Sequence, residues 1–324
     1  MKNYLVTGVA GFIGSAIVRA LLERGDQVRG LDDFSTGKQE NIAGLGGKFD
    51  FREGSLLDAS ALASACQGID CIFHEAAVPS VPKSVAEPKR TNAVNVEGTL
   101  NLLIAARDAG VKRVVYAASS SAYGESEILP KVETMVPRPL SPYAVQKLTS
   151  EHYMGVFAGV YGVETVSLRY FNIFGPRQDA NSQYSAVLAK FITCMLQGQA
   201  PTIYGDGEQS RDFTFVDNAV KANLLAAAAP AVEVSGKVFN IATGSRFSLN
   251  QTYQMLQGII GFTGAVEYAP ARAGDIKHSL ADISLAKKHL GYLPDIDFEE
   301  GLKRTVEWYK QKIESPAGTA TVVR

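Results

Sequence analysis

The chain has 324 residues, of which 46% are hydrophobic, and a formal net charge of -1 at pH 7. A chain of this length buries a large core as one big domain or as two coupled lobes. Lysine and arginine are scattered along it, so the sequence predicts no basic surface that would bind nucleic acid. The first six residues already read as a strand, and no apolar run reaches a membrane-spanning length. We therefore expect a soluble, cytoplasmic protein.

Three cysteines, Cys66, Cys71 and Cys194, and four histidines are spread along the chain. The spacing of these residues is unlike that of a metal-ligand set, and the odd number of cysteines does not suggest a disulfide framework. Two of the cysteines lie in apolar surroundings that are typical of buried free thiols. We expect neither a disulfide nor a metal site, and we expect the histidines to be structural or surface residues.

An apolar run, the glycine turn VTGVAGFIG and an apolar-periodic stretch open the chain, which predicts a strand, a tight turn and a helix. Gly8 permits the sharp turn, and Gly14 allows the helix to pack closely on the sheet. Gly11 has no Cβ that would keep a pyrophosphate away from the helix N-terminus. The glycine spacing alone fits a packing corner without a ligand equally well. Asp32, which ends the next apolar run, favours a dinucleotide. A carboxylate there accepts hydrogen bonds from ribose hydroxyls and repels an added phosphate, so NAD is favoured over NADP.

Strand-like and helix-like stretches alternate after Asp32. The strands are expected at 49–52, 71–77 and 111–117, and the helices at 59–66, 92–109 and 142–159. The segment 79–88 contains three prolines and is expected to be a loop. This alternation predicts an α/β fold, a Rossmann-type doubly wound parallel sheet that binds its ligands outside the carboxyl ends of the strands.

Three serines, Ser119, Ser120 and Ser121, follow the strand that ends near Ala117. As an isolated triplet they are most simply a hydrogen-bonded turn. Their position at the carboxyl end of a parallel strand instead favours a place at a ligand site.

The next helix carries a tyrosine and a lysine on one face. Ser141 is expected to cap this helix and Pro142 to be its first residue. Tyr143 and Lys147 are then one turn apart. A phenol has a pKa of about 10, and a nearby cation favours the phenolate that a general base needs. Such a pair also occurs by chance on amphipathic helices, where both residues merely cover the surface.

Several motifs appear together in one order. They are TGVAGFIG at 7–14, Asp32, HEAA at 74–77, Asn95, SSSAYG at 119–124, YAVQK at 143–147, RYFNIFGPR at 169–177, GDG at 205–207, Asp212-Phe213 and Val216-Asp217. This set resembles the extended short-chain dehydrogenase/reductase superfamily, and specifically its nucleotide-sugar 4-epimerases. The resemblance covers nearly the whole chain, up to about Ser315, and implies NAD as the cofactor and a UDP-sugar as the substrate.

The resemblance also implies the roles of the reacting residues. Tyr143 would be the acid/base, and Lys147 would tune it and hold the nicotinamide ribose. Ser121 would share the proton of the substrate's O4. Ser120 is the next candidate for that role, because fewer residues separate the serines from Tyr123 than in galactose-type epimerases.

Two larger groups of residues are implied to bind the ligands. For NAD they are Gly8, Gly11, Phe12, Ile13, Gly14, Asp32, Phe34, Ser35, Gly37, Ser55, Leu56, Ala76, Ala77, Asn95, Ser119, Tyr143, Lys147 and Tyr170. For the UDP-sugar they are Ser80, Ser120, Ser121, Tyr143, Asn172, Ala186, Val187, Tyr204, Arg211, Arg272, Asp275 and Ser279.

Two of these assignments have alternatives. Ser55 stands where the family has an aspartate that meets the adenine amino group, and Asp58 is a substitute for it. Arg211 and Arg272 match arginines that clamp the diphosphate, and a guanidinium fork suits two adjacent phosphates. Their alternative is surface ion pairing with the neighbouring carboxylates Asp212 and Asp275.

The substrate is predicted from the segment 273–279. It resembles the segment of the family in which one position controls the size of the pocket beside the sugar's C2 group. Here that position is Ser279, and a small side chain leaves space for an N-acetyl group. The segments 79–82 and 181–190 also resemble the N-acetyl-accepting subgroup. The prediction is interconversion of UDP-GlcNAc and UDP-GalNAc, with UDP-Glc and UDP-Gal left open as further substrates.

Other activities are left open at this point. They are a UDP-glucuronate 4-epimerase, a UDP-sugar decarboxylase or dehydratase, a reductase and a catalytically silent NAD-binding protein. Decarboxylases and dehydratases of the superfamily carry an acidic residue just after the catalytic serine or threonine, where this chain has Ala122 and Tyr123. Asp32 disfavours an NADPH-dependent reductase. A silent binder has no need of Tyr143 as a general base.

The expected domain organisation follows the same resemblance. The predicted units are a nucleotide-binding domain of 1–171 plus 211–241, a smaller discontinuous α/β substrate lobe of 172–210 plus 243–312, and a disordered tail of 315–324. The part 211–241 is expected to return to the first domain through a strand at 213–216 and a helix capped by Asp217. The helices 92–109 and 142–159 resemble those of the family's dimer interface, so a homodimer is expected.

Overall fold

A computed structural model describes residues 2–180, 187–271 and 277–314 of the chain. The strands within these residues are β1 (Asn3–Thr7), β2 (Gln27–Asp32), β3 (Phe49–Glu53), β4 (Cys71–His74), β5 (Arg113–Ser119), β6 (Glu164–Tyr170), β7 (Ile173–Phe174), β8 (Thr202–Tyr204), β9 (Ser210–Arg211), β10 (Thr214–Phe215), β11 (Lys237–Ile241), β12 (Phe247–Ser248) and β13 (Glu267–Ala269). The α-helices are α1 (Phe12–Glu23), α2 (Gln39–Ile42), α3 (Ala59–Cys66), α4 (Val81–Ala86), α5 (Pro88–Asn92), α6 (Gly98–Asp108), α7 (Pro142–Tyr161), α8 (Val187–Leu196), α9 (Val216–Ala228), α10 (Ala231–Val234), α11 (Leu249–Ile260), α12 (Ser284–Leu290) and α13 (Phe298–Glu314). A π-helical turn, Ala93–Glu97, joins α5 to α6, and a 3₁₀ turn, Ser120–Tyr123, follows β5.

The main sheet has seven parallel strands in the order β11-β6-β5-β4-β1-β2-β3. The chain runs outward from β1 to β3 and then crosses to β4 on the other side of β1. The point between β1 and β4 is therefore the topological switch at which such sheets bind ligands. Thr7 lies opposite His74, and Ser119 lies opposite Tyr170. The predicted Rossmann-type α/β fold class is confirmed.

Helices cover both faces of this sheet. Ile17 and Leu21 of α1 pack with Val220 of α9 on one face. Leu62 of α3 and Leu102 of α6 pack with α7 on the other face. Each of these leucines and isoleucines is fully buried, which favours folding by about 1.5–3 kcal/mol per side chain. The two layers hold the strand ends in fixed positions.

A second core lies outside the main sheet. Its aromatic rings include Phe213 and Phe247, which stack on Phe298 of α13 at centroid distances of 5.0 and 4.5 Å. The strand expected at 213–216 belongs here, because β10 pairs with β7 and the chain returns to the main sheet only at β11. The predicted domain boundaries stay a prediction, and the expected tail 315–324 lies outside the described residues.

Two local predictions are wrong. The segment 79–88 forms helices α4 and α5, because Ser80 accepts the Lys83 N–H as the cap of α4 and both internal prolines fall in first turns. A proline in a first turn removes no intrahelical hydrogen bond. Asp217 was expected to cap α9, but that helix begins at Val216 and places Asp217 within its first turn.

Candidate active site

The glycine turn between β1 and α1 lies against the end of β4. Gly8 has a φ of +70°, and a Cβ there would stand 2.7 Å from the backbone N and Cα of Ala76. A Cβ on Gly14 would stand 2.2 Å from the Gly8 carbonyl oxygen, so this glycine allows α1 to pack on the turn itself. Gly11 precedes α1 and supplies no side-chain cap. The first amides of α1, at Phe12 and Ile13, form the kind of helix N-terminus that binds an anion.

The Asp32 carboxylate organises the neighbouring loop. Its Oδ2 accepts the Ala10 N–H at 2.9 Å, and its Oδ1 accepts the Phe34 N–H at 2.8 Å. Burial raises the pKa of Asp32, while these two backbone hydrogen bonds lower it. A Cβ on Gly37 would stand 2.9 Å from Oδ1, so the loop through Phe34, Ser35 and Gly37 closes tightly over the carboxylate. Each oxygen keeps a further lone pair with which to accept a ribose hydroxyl.

The residues expected near adenine follow β3. The Ser55 hydroxyl accepts the Leu57 N–H at 3.4 Å, and Leu56 is buried beneath Gly98. Asp58 caps α3 by accepting the amides of Ser60 and Ala61. Because its carboxylate already serves the helix cap, Asp58 is a poor substitute for the family's adenine contact.

The loop after β4 is held in place by Asn95. The Asn95 side chain is only 2% exposed, accepts the Val78 N–H at 2.7 Å and donates to Gln146 of α7 at 2.8 Å. Ala76 donates its N–H to Thr7 at 3.4 Å, and Ala77 follows it. Its amide thus ties the strand end to α7, and the expected contact of Asn95 with the cofactor stays a prediction.

Helix α7 begins as expected. Ser141 accepts the Ala144 N–H at 3.2 Å, and Pro142 is the first helical residue. The Tyr143 N–H donates to the Ser84 hydroxyl of α4 at 3.0 Å. The cap and the contact with α4 fix the start of α7 and, with it, the position of the Tyr143 ring.

Ser119 is the serine that meets Tyr143. The Ser119 hydroxyl lies close enough to the Tyr143 phenol to lower its pKa. Ser119 also accepts the Ser121 hydroxyl at 2.8 Å and the Ser121 N–H at 3.2 Å. A hydroxyl has two acceptor sites and one proton, so Ser121 occupies both acceptors and leaves the Ser119 proton for the Tyr143 oxygen. Ser120 and Ser121 lie in the following 3₁₀ turn.

Sequence reasoning took Ser121 from the resemblance to the family and kept Ser120, one residue away, as the next candidate. Counting forward along β5 finds Ser119, because this strand continues to Ser119 and its last side chain lies at the sheet edge. The structure therefore moves the contact with the Tyr143 phenol two residues toward the N-terminus.

Lys147 lies below this pair and is 4% exposed. Its Nζ donates to the Ala117 carbonyl at 2.8 Å and stands 4.9 Å from the centroid of the Tyr116 ring. Lys147 was expected to lower the pKa of Tyr143. Burial instead raises the pKa of Tyr143 to about 12, the nearby Ser119 hydroxyl lowers it, and the Glu75 carboxylate raises it. The expected lowering of this pKa by the Lys147 ammonium is not observed.

Glu75 is a functional candidate that sequence reasoning missed. It follows β4 directly, and its carboxylate accepts the Tyr170 hydroxyl at 2.9 Å. The signal in the sequence was a carboxylate at the end of an apolar strand. Its neighbour His74 is a structural residue, as expected, with its ring nitrogens on Thr7 and Thr99. Burial lowers the pKa of His74 to about 3, so the ring is neutral.

The predicted sugar-nucleotide residues lie in two places. Arg211 donates to the carbonyls of Ser210 and Lys277, and Ser279 donates its N–H to the Ser210 carbonyl at 3.0 Å. Arg211 and Ser279 are therefore brought together. Asn172, with a φ of +39°, donates to the Asp212 carbonyl at 3.0 Å.

The remaining members of this set lie apart from that group or outside the described residues. Ser80 caps α4, Val187 begins α8 and Tyr204 ends β8 with 36% of its surface exposed. Ala186, Arg272 and Asp275 lie outside the described residues. The Asp212 carboxylate, the alternative partner of Arg211, accepts hydrogen bonds from Thr243, Gly244 and Ala281.

Residues 2–180, 187–271 and 277–314 contain neither a metal-binding cluster nor a membrane-spanning helix. No group of three or more His, Cys, Asp or Glu side chains in these ranges could hold a metal ion. No helix in the same ranges is long and apolar enough to cross a membrane. Cys66 and Cys71 are buried free thiols, as expected, and burial raises the pKa of each to about 12.

The parallel sheet carries a glycine turn, an acidic residue at the end of β2 and a Ser-Tyr-Lys set at its carboxyl edge. These features together define a nucleotide-dependent oxidoreductase-type fold. The model of the NAD dependent epimerase/dehydratase family matches residues 4–242. The chain belongs to this family, which confirms the resemblance to the extended short-chain dehydrogenase/reductases, the enzyme class and NAD as the cofactor.

Three relatives resemble the chain over nearly its full length. The UDP-glucose 4-epimerase of Mycolicibacterium smegmatis is 38% identical over 95% of this chain and 98% of its own. The UDP-glucuronate 4-epimerase of Thermodesulfobacterium geofontis is 35% identical over 97% of this chain and 98% of its own. The structure of the UDP-N-acetylglucosamine 4-epimerase of Methanobrevibacter ruminantium M1, in complex with UDP-N-acetylmuramic acid, is 43% identical. It has a TM-score of 0.91 and covers 96% of this chain and 98% of that one.

The position of Asp32 predicts the cofactor preference. Asp32→Ala is expected to weaken NAD binding at least about tenfold, because a hydrogen bond to a charged group contributes about 1.5–3 kcal/mol. It is also expected to reduce the preference for NAD over NADP, because the repelling charge is gone. Isothermal titration of cofactor-stripped protein with NAD and with NADP measures both. The matched control is Asp33→Ala, which removes the exposed neighbouring carboxylate. An unchanged NAD/NADP preference in Asp32→Ala, or the same change in Asp33→Ala, would contradict the assignment.

Proposed function

We propose that the protein is a UDP-hexose 4-epimerase that retains its NAD. The observation that carries this proposal is the place of the Ser119 hydroxyl beside the Tyr143 phenol, one helical turn from Lys147, at the carboxyl edge of the sheet. A hydroxyl pair at this edge can exchange a proton with an alcohol of a bound sugar. The M. smegmatis and M. ruminantium relatives, both named as 4-epimerases, support the same reaction.

The residues at the switch point fit a dinucleotide. The uncapped start of α1 behind Gly11 suits the diphosphate, and the Asp32 carboxylate suits the adenosine ribose. Lys147 would hold the nicotinamide ribose. When bound, NAD supplies an acceptor for the C4 hydrogen with its electron pair and returns both.

The chain's own residues would handle the proton. Tyr143 would take the O4 proton as C4 becomes a ketone. The same tyrosine would give the proton back after the 4-keto sugar has rotated to present its opposite face. Ser119, whose acceptor sites are filled by Ser121, donates toward the Tyr143 oxygen and stabilises the phenolate. We therefore propose Ser119 for the role that sequence reasoning gave to Ser121 or Ser120. Binding energy from the nucleotide would hold the substrate while the hexose rotates.

The residues after the serines favour epimerisation over elimination or decarboxylation. Ala122 and Tyr123 are 1% and 3% exposed, and the Tyr123 hydroxyl donates to Asn240 at 2.7 Å. Ser120 directly follows Ser119, so none of the residues 120–123 supplies the acid that dehydratases and decarboxylases carry after their catalytic serine or threonine.

We propose UDP-GlcNAc and UDP-GalNAc as the preferred pair, with UDP-Glc and UDP-Gal as further substrates. The support is the small side chain of Ser279, which lies beside Arg211 at β9. Arg211 would meet the diphosphate, and Ser279 would leave room beside the sugar's C2 group. The N-acetylglucosamine epimerase from M. ruminantium agrees with this choice.

We also propose a homodimer. Val145, Val156 and Val160 form an exposed stripe on α7, with Tyr161 at its end and Ile104 exposed on neighbouring α6. The spacing of the three valines places them on one helical face, and exposed apolar side chains grouped on one face are typical of an interface. A solution mass of two chains by light scattering is the expected result. The cytoplasmic location stays a prediction from the sequence.

Product analysis on the purified protein tests the reaction. Without added NAD, the protein is expected to convert UDP-GlcNAc to UDP-GalNAc and, more slowly, UDP-Glc to UDP-Gal, as resolved by chromatography of the nucleotide sugars. UDP-GlcUA is offered in parallel because one relative acts on it. Conversion of UDP-GlcUA alone would reassign the substrate. No C4 epimer from any of the three, even after NAD is added, would refute the proposed function.

A serine series tests the proton path. Tyr143→Phe is expected to lower kcat by a factor of about 10²–10⁴, the usual contribution of a general acid/base. Ser119→Ala should lower kcat at least tenfold (roughly, by the loss of one charge-assisted hydrogen bond). Ser121→Ala should cost less, because Ser121 reaches Tyr143 only through Ser119. Steady-state kinetics of the three variants decide, and a larger loss in Ser121→Ala than in Ser119→Ala would restore Ser121 to the role.

The pocket-size assignment predicts a selective change. Ser279→Tyr is expected to abolish turnover of UDP-GlcNAc and to retain turnover of UDP-Glc, because the larger side chain fills the space for the N-acetyl group. Ser279→Ala is the matched control and should keep both activities. Comparable losses on both substrates in Ser279→Tyr would mean that Ser279 does not control this space.

A further inference from the structure

The Ser279 segment, residues 277–282, lies along β9 like a further strand. The Ser210 N–H donates to the Lys277 carbonyl at 2.9 Å, and the Ser279 N–H donates to the Ser210 carbonyl at 3.0 Å. These two hydrogen bonds have the pattern of a parallel ladder. In such a ladder the following residues of the two strands also come side by side, so Ser279 lies next to Arg211.

The ladder changes its form at Asp212, the residue after Arg211. The next bond of a regular parallel ladder would join the Ala281 N–H to the Asp212 backbone carbonyl. That carbonyl instead accepts the Asn172 side-chain amide at 3.0 Å, and the Asp212 carboxylate oxygen Oδ2 accepts the Ala281 N–H at 3.3 Å. The side chain of Asp212 therefore replaces its backbone in the ladder, and one residue holds both Asn172 and the Ser279 segment.

The Asp212 carboxylate is buried, with 0% of the residue exposed, and both of its oxygens accept hydrogen bonds. Oδ1 accepts the N–H and the hydroxyl of Thr243 at 2.9 and 2.8 Å, and Oδ2 accepts the Gly244 N–H at 3.1 Å beside that of Ala281. Burial raises the pKa of Asp212 to about 6, and these hydrogen bonds lower it, so the carboxylate is ionised at neutral pH. Hydrogen bonds to an ionised acceptor are about twice as strong as neutral ones. The loop after β11 and the Ser279 segment are therefore anchored on the same charge.

The far end of the Ser279 segment is held from its other side. The Lys131 N–H donates to the Leu280 carbonyl at 2.8 Å, and the Asp282 N–H donates to the Lys131 carbonyl at 2.9 Å. The Asn240 side-chain amide, from β11, donates to the carbonyls of Lys131 and Asp282 at 3.0 and 3.2 Å. The segment is therefore fixed at both ends, and the buried carboxylate holds it between them.

The register of this segment decides which side chain lies beside Arg211. His278 and Leu280 flank Ser279, and both are larger than serine. A shift of one residue would bring one of them to the place of Ser279 and fill the space that is proposed for the N-acetyl group. The contact with Asp212 opposes such a shift, because a backbone amide would lose an ionised acceptor.

We propose that Asp212 is a specificity-determining positioning residue, which holds the Ser279 segment in register on β9 and thereby keeps the space beside the sugar's C2 group open. The choice of sugar rests on the proposed function and on the role given there to Ser279. The attachment of the segment to Asp212 depends on neither.

Hydrogen exchange resolved to single amides, by NMR or by fragmentation mass spectrometry, tests the attachment without any substrate. Because the acceptor of the Ala281 N–H is the Asp212 carboxylate, this amide is expected to be protected in the unsubstituted protein. In Asp212→Ala its exchange should become at least about tenfold faster, the effect of losing one hydrogen bond to a charged group. The amide of Leu168, in the buried strand β6, reports global opening and is the internal reference.

The ratio of kcat/KM for UDP-GlcNAc to kcat/KM for UDP-Glc tests the link to specificity. Asp212→Ala is expected to lower this ratio about tenfold, because a released segment can move a larger side chain into the space for the N-acetyl group. A loss of folded protein lowers both values equally and leaves the ratio unchanged. Asp212→Asn, whose amide oxygen can still accept the Ala281 N–H, should restore part of the ratio.

Thr243→Val is the matched control. It removes one hydrogen bond to the same carboxylate, that of the Thr243 hydroxyl, and leaves the Ala281 N–H with its acceptor. The exchange of the Ala281 amide and the substrate ratio are both expected to stay as they are in the unsubstituted protein.

The exchange and kinetic measurements separate the two kinds of failure. No C4 epimer from any UDP-sugar would refute the proposed function and leave the exchange result to decide the attachment. Unchanged exchange of Ala281 relative to Leu168 in folded Asp212→Ala, or an equal acceleration in Thr243→Val, would overturn the positioning role. Faster Ala281 exchange with an unchanged substrate ratio would overturn the effect on specificity. Should Asp212→Ala not fold, the unsubstituted protein decides, since an Ala281 amide that exchanges freely there would overturn the attachment.

Discussion

The parallel pairing of β1 with β4 and of β5 with β6 is the constraint on which the site depends. It brings the ends of four strands to one edge, where Gly8, Glu75, Ser119 and Tyr170 meet. A shift of one residue in either register would turn these side chains to the other face of the sheet. The buried layers on both faces of the sheet fix this register, so the packing of the core and the geometry of the site have one cause.

Desolvation is the second organising feature, because the strand ends are covered by α7, α4 and α9. Lys147 is buried and Tyr143 and Glu75 are half-buried, so the interactions of these groups with their neighbours are stronger than they would be at the surface. The same burial makes their proton affinities unusual, and the pKa of Tyr143 is raised to about 12. A proton-transfer site of this kind is set less by the intrinsic acidity of each residue than by the charges that share the cavity.

The features that follow local rules could be predicted from the sequence. The glycine turn, the acidic end of β2, the Ser141 cap and the helix 59–66 depend on residues close together in the chain. The prolines at 79–88 led to the wrong prediction of a loop. A proline is compatible with a helix in its first turn, and the neighbouring cap at Ser80 places Pro82 in such a turn.

The rest of the site depends on distant partners. Ser119 ends β5 because that strand pairs with β6 up to Tyr170, which no count within 119–124 reveals. Asn95 finds Gln146 in α7, and Glu75 finds Tyr170, across separations of 51 and 95 residues. The expected influence of Lys147 on Tyr143 was a statement about charge alone, and the burial that raises the pKa of Tyr143 exists only in the folded chain.

The central claim is that C4 of the sugar is oxidised and reduced within one site while its own hydrogen is retained. Interconversion of UDP-GlcNAc and UDP-GalNAc in D₂O, followed by NMR or mass spectrometry of the product, tests this most directly. The account predicts a C4 epimer that carries its original hydrogen and no solvent deuterium at C4. A product with deuterium at C4 would show that the carbon itself was deprotonated and reprotonated, which would contradict the account.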